Sequence, residues 1–179
     1  VENTCGIDTD AGMSISTLRD DFPCCLDESD EAKRSIEAPA GINGGVSMIG
    51  GRGPMIIRAA SGKYLIDPEG IFLSAGEGQP NFRVLSAQRL KSFGVRLVQC
   101  FRGTEDDVLQ DRISKEVLHL SDEGPKRKSI LVIKTSKISD MPNKKQIKTI
   151  ADSIMKGNQS AMLSTIYDEK QDEDSPLIE

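Results

Sequence analysis

Tryptophan is absent, aromatic residues make up only 4% of the chain, and histidine occurs once, at His119. A core without large rings must be built from aliphatic side chains, and the apolar share of 37% leaves part of the 179 residues outside it. Few aromatics also argue against a surface that stacks single-stranded bases. With one histidine and no Cys-x-x-Cys pair, the spaced ligands of a structural zinc site are missing. Cysteines stand at 5, 24, 25 and 100, and the adjacent pair is awkward for bonding to itself. The thiols therefore read as free and the compartment as reducing, which points to the cytoplasm, including the cytosolic face of a membrane. No apolar run approaches the ~20 residues of a membrane span. The first residue is Val rather than Met, which reads as a cut or processed piece of a longer product.

What the chain does have is charge, laid out in blocks. Residues 1–45 carry 3 basic and 10 acidic side chains, residues 46–125 balance at 10 each, residues 126–156 carry 9 basic against 2 acidic, and residues 168–179 carry 1 against 6. Two acidic ends therefore flank a basic segment. The expected partners are acidic protein segments, including the chain's own ends, with weak polyanion binding and no sequence-specific nucleic acid.

The acidic, Gly-rich stretch 1–54 reads as a weakly structured arm, because residues 38–54 hold Pro39, Pro54 and six glycines. Order is expected from Met55. Here "MIIRAA", "YLID" and "IFLSA", separated by "SGK" and "PEG", predict an antiparallel β-meander. Ser86–Gly94 predicts a short helix and Val95–Phe101 a strand. Thr104–Pro125 predicts a long helix: Thr104 is a cap, acids fill the first turn, Leu109, Ile113, Val117 and Leu120 form a stripe, and Gly124 with Pro125 stop it. Ser129–Thr135 predicts a strand. Asn143–Gly157 predicts a second helix with Asn143 as cap, Gln146 at the capping-box position and Ile147, Ile150, Ala151 and Ile154 on one face. Ala161–Tyr167 predicts a last strand. The predicted fold class is α/β: a β-meander, then a β-α-β-α-β unit with parallel strands, in a mixed sheet flanked by helices. The domain spans 55–167, and 168–179 reads as an acidic flexible tail.

The glycine-rich run "GGVSMIGGRG" and the "SGK" after it do not make a phosphate loop. Tyr64 follows Lys63 where a Ser or Thr is needed, and strands, not a helix, are predicted on both sides. His119 falls at the end of the predicted long helix, away from any strand end, so no nucleophile–histidine–acid set forms. No catalytic set, metal or cofactor is expected. Ligands in open parallel sheets lie beyond the carboxyl ends of strands. Those ends here are Gly103 and Thr104 on one side and Lys134, Thr135, Ser136 and Lys137 on the other, an anion-binding candidate. Lys144, Lys145 and Lys148 point away from the isoleucine face and form a partner-binding candidate.

The last motif is "EDSPLI", residues 173–178. It resembles the acidic dileucine sorting signal: an acid, three residues, then Leu-Leu or Leu-Ile. The resemblance covers six residues and implies that Glu173, Leu177 and Ile178 meet clathrin adaptors on a cytosolic tail. The leading functional expectation is a non-catalytic protein-interaction or regulatory domain, the cytosolic part of a larger or membrane-bound protein. The alternatives are a ligand- or phosphate-binding domain or enzyme using the strand ends, and a structural subunit of a virion or filament.

Overall fold

The computed structural model describes residues 3–34, 48–74, 78, 80–99, 107–123, 130–138, 143–164 and 166. The chain is mixed α/β, with most of its regular structure in strands of a mixed sheet and few helices. Eleven strands are described: β1 (Thr4–Asp8), β2 (Ile15–Ser16), β3 (Met48–Arg58), β4 (Tyr64–Ser74), β5 (Arg83–Ser86), β6 (Val95–Val98), β7 (Val108–Asp111), β8 (Val117–His119), β9 (Ser121–Glu123), β10 (Ile130–Lys134) and β11 (Met162–Leu163). The helices are α1 (Asp30–Arg34), α2 (Ala87–Ser92) and α3 (Lys144–Met155), with a 3₁₀ turn at Arg19–Asp21.

The main sheet runs β11-β4-β2-β5-β1-β10-β9, with β3 along the other edge of β4. It curls, so that the end of β3 meets the end of β10. Ala59 bridges Thr135, Ala60 N–H donates to the Lys134 carbonyl at 2.8 Å, and Ser136 N–H donates to the Arg58 carbonyl at 3.0 Å. Two strand pairs in this sheet are parallel, β1 with β5 and β2 with β4. A small antiparallel sheet, β6-β7-β8, stands beside it.

The core is aliphatic, as the scarcity of rings requires. Met55, Ile56, Ile57, Leu65, Ile66, Leu85, Leu90, Ile133 and Ile147 are all fully buried. The "SGK" hairpin forms as expected, with Gly62 at φ +96° and its N–H on the Ala59 carbonyl. The two later helices also carry their caps. Ser86 Oγ accepts from Arg89 N–H, and Asn143 Oδ1 accepts from Gln146 N–H at 2.9 Å. Gly94 and Gly157 close them at φ +85° and +76°.

The expected β-α-β-α-β unit does not form in the described residues, because residues 107–123 are strands and turns, not a helix. The apolar stripe was misleading: Ile113 is 76% exposed and Val117 is 38% exposed. What is buried alternates instead. Leu109 and Asp111 face inward on β7, as do Leu118 and Leu120 further on, so period two wins over helical period. Asp111, which has no place in an apolar stripe, accepts from Ser160 Oγ at 2.9 Å and caps the turn through Ile113 N–H at 2.9 Å. The strand β10 is antiparallel to both β1 and β9, so it is not the parallel strand of a crossover.

The "PEG" turn is also overturned. β4 runs straight through Asp67–Gly70, and β3 shifts register opposite it, between Gly53 and Met55. Pro54 and Pro68, which have no N–H to donate, both sit at that irregularity.

The largest correction concerns 1–54. Its described residues are not a weakly structured arm. β1 lies between β5 and β10 in the middle of the sheet, with Cys5 and Ile7 buried. Few apolar residues sufficed because a five-residue strand needs only alternate ones. The glycines of β3 have a packing reason as well. A Cβ on Gly51 would lie 2.8 Å from Leu26 Cγ, and one on Gly53 2.9 Å from the Cys25 carbonyl, so the loop 25–27 can lie flat on the strand. The segments 35–47, 124–129 and 167–179 lie outside the described residues, and with them the proposed tail.

Candidate functional site

A buried ion pair anchors the region where β3 and β10 meet. Arg83, on β5, is 8% exposed and Asp21, at the end of the 3₁₀ turn, is 4% exposed. They pair in fork geometry: Arg83 Nε donates to Asp21 Oδ2 at 2.9 Å and Nη2 to Oδ1 at 2.8 Å. Ser16 Oγ also donates to Asp21 Oδ2, at 2.6 Å, and Arg83 Nη1 donates to Thr135 Oγ1, at 2.8 Å. Five separate stretches of chain are thereby joined through one guanidinium and one carboxylate, since Arg83 Nη1 also reaches the Thr4 carbonyl at 3.4 Å.

Beside this pair opens a cleft of about 380 Å³. Arg58, Arg83, Ser136 and Lys137 line it with Asp20 and Asp21, over a floor that includes Ile56. Arg58 Nη1 donates to Ser136 Oγ at 3.4 Å and to the Lys137 carbonyl at 3.3 Å. Its Nε is buried and has no hydrogen-bond partner among the described residues. A buried N–H of a cation without a partner is costly. Three cationic side chains face two carboxylates here, and Asp21 is already taken up by Arg83.

Of the anion-site residues expected from sequence, Ser136 and Lys137 line this cleft. Thr135 is buried behind it, on Arg83, and Lys134 is an exposed strand end outside the lining. Gly103 and Thr104 lie outside the described residues. Lys144, Lys145 and Lys148 are exposed on α3, Lys145 opposite the buried Ile147, Ala151 and Ile154 and the other two along the edge of that face. Glu173, Leu177 and Ile178 lie outside the described residues. His119 is on a strand, not at a helix end.

Sequence reading missed Arg58, Arg83 and Asp21. Arg58 stood in the open as the one charge of "MIIRAA", but nothing local marks a charge whose partner is 62 residues away, as for Arg83 and Asp21.

A second place follows from the strand-end rule applied to the pairs that are parallel in the fold. The carboxyl ends of β1 and β5 are Asp8 and Ser86, which stand in register. Asp8 is exposed, and its Oδ1 accepts from Asp10 N–H at 2.8 Å and Ala11 N–H at 3.2 Å. The loop after it is locked from below. Ser86 N–H donates to the buried Ser14 Oγ at 3.0 Å, Ser86 Oγ donates to the Ala11 carbonyl, and Gln88 Nε2 donates to the Thr9 carbonyl at 3.2 Å. The signal was "DTDAG" after a short apolar strand, an Asx-turn pattern that was readable. No group of three or more metal-ligating side chains occurs among the described residues, and none of their helices is long and apolar enough to cross a membrane. Comparisons with protein-family models, with curated proteins and with solved structures found no match.

Proposed function

We propose that the chain is a non-catalytic binding domain whose cleft at the end of β10 receives a carboxylate or phosphate group carried by a partner. The convergence of Arg58, Arg83 and Lys137 on that cleft carries the reading. A guanidinium fork suits planar or tetrahedral oxyanions, and Lys137 adds a point charge beside it. No cofactor is needed. The cleft suits one anionic side chain better than a large ligand, so an acidic protein segment is the natural source. Calorimetric titration separates the sources: inorganic phosphate, acetate, an Asp/Glu-rich peptide and its phosphorylated form. Peptide binding should weaken about tenfold or more in Arg58→Ala and Lys137→Ala, and stay unchanged in Lys145→Ala, whose side chain is on α3. Indifference of all four titrants to Arg58→Ala would end this reading.

A second reading makes Asp8 the reactive carboxylate of a hydrolase. Its place favours it: an exposed carboxylate, oriented by two backbone N–H groups, at the end of a parallel pair. Hydrolysis of this kind needs one carboxylate to take a proton from water and a second carboxyl to give one to the leaving group. The second is Asp10, on the same loop, or Asp8 of a two-fold mate. Mass spectrometry of an unstructured protein incubated between pH 3 and 7 tests this. Cleavage should vanish in Asp8→Asn, and Asp10→Asn decides between the two arrangements. Cleavage that survives Asp8→Asn, or none at all, removes this reading.

A further inference from the structure

The pair Cys24–Cys25 stands apart from both places described above. In an extended chain neighbouring side chains point to opposite sides. These two do not. Cys25 adopts φ +61°, a left-handed conformation that side-chain-bearing residues rarely take, and the sulfurs converge to 2.8 Å. Both also lie over one acceptor, the carbonyl of Lys144 at the start of α3, at 3.6 Å from Cys24 and 3.9 Å from Cys25. Such a conformation persists only where the surroundings fix it. Here they do. The Cys25 carbonyl lies against Gly53, and Asp27 exchanges backbone hydrogen bonds with Arg52 at 2.7 and 3.0 Å, which clamps the loop between β3 and α3.

We propose that Cys24 and Cys25 form a chelating dithiol site for trivalent, thiophilic metalloid species of the arsenic(III) class. Cys25 is exposed and Cys24 is 5% exposed, so Cys25 meets the reagent first. Its sulfur bonds to arsenic in a dihydroxy-arsenical, one As–O bond breaks, and the thiol proton leaves with the hydroxide as water. Cys24 then repeats the exchange intramolecularly, where its high effective concentration counts. Two As–S bonds replace two As–O bonds, two waters leave, and no oxidation state changes.

Other soft ligands fit less well. A zinc ion wants four ligands, and no third metal-ligating side chain joins the pair among the described residues. A linear two-coordinate ion needs sulfurs on opposite sides, which neighbouring residues do not supply. An internal disulfide is disfavoured because adjacent Cα atoms stand about 3.8 Å apart, below the usual span. A pyramidal trivalent centre takes two sulfurs at about a right angle and brings its third substituent with it.

The test incubates the full chain with phenylarsine oxide and counts adducts by intact-mass spectrometry. One arsenical per chain is expected, resistant to excess monothiol and removed by a 1,2-dithiol. Cys25→Ser, at an exposed position, should lower the monothiol-resistant fraction at least tenfold, with an unchanged melting curve as the folding control. Cys5→Ala and Cys100→Ser should keep the adduct. A resistant adduct that persists in Cys25→Ser, or its absence from the unaltered chain, would overturn the proposal.

Discussion

Cys5 shows how one buried atom sets a pH limit. It is fully buried on β1, and burial pushes its thiol from the ordinary 9.0 up to about 12, against the pull of the Arg83 charge. Between those values the unfolded chain has lost the proton and the folded chain still holds it. The raised folded value means that the contribution is complete below about pH 9 and drains away as the pH climbs towards 12. Each such thiol should tilt stability by ~1.4 kcal/mol per pH unit in that window. Urea midpoints measured from pH 8 to 11 check this, and Cys5→Ala should flatten the decline. The ion pair Arg83–Asp21 obeys a different rule. Removing one partner strands a buried charge, so Arg83→Gln should cost about 3–5 kcal/mol, while the double change Arg83→Met with Asp21→Leu should cost much less than the two single changes together. Denaturant unfolding of Arg83→Gln, the two single changes and the double change supplies the comparison, and strict additivity would show that the two groups do not act as a pair.

Among the elements, α3 was the most legible in sequence. Its cap, its closing glycine and its isoleucine face all stand where spacing placed them, because each is a local signal. One detail was not. Gln146, expected to complete a capping box, is 8% exposed, and its amide has no partner among the described residues. Replacing Ile147 or Ile154 with Asp should unfold the domain, since both are essentially fully buried. Lys148→Gln should move stability by ~0.5 kcal/mol or less. Circular dichroism melting of the three variants is the check, and equal tolerance would mean that the helix faces the other way. The short strands were far less legible. The stretch Thr104–Pro125 carried a cap, an apolar stripe and a stop, yet its described residues 107–123 became β7, β8 and β9, because pairing partners decide a strand and propensity does not. β1 failed for the same reason: nothing in "TCGID" announces that β5 and β10 lie on either side of it. Of the candidate site, the stretch Ser136–Lys137 was readable as a strand end, whereas Arg58 and the Arg83–Asp21 pair needed the fold.

At the scale of the whole molecule, charge remains in separate blocks, with +7 on residues 126–156 and −5 on residues 168–179. The Lys144, Lys145 and Lys148 face should therefore bind heparin, single-stranded DNA and anionic vesicles weakly, with steep salt dependence and little preference. Removing 168–179 should raise all three affinities alike, because a tethered acidic segment competes at high effective concentration. A salt titration of both chains decides the matter, and tight binding to a single nucleic-acid sequence near 150 mM salt would contradict it. The pairing of β1 with β10 sets one more condition on the molecule, and it concerns synthesis. Thr4 faces Lys134, so β1 must wait for 130 further residues before the edge that meets β10 is covered. At about 5–20 residues per second on the ribosome, that wait is on the order of ten seconds. Until then the edge of β1 that meets β10 stays unpaired, and a nascent chain stalled before β10 presents that open strand edge to whatever chaperone or sister chain is near.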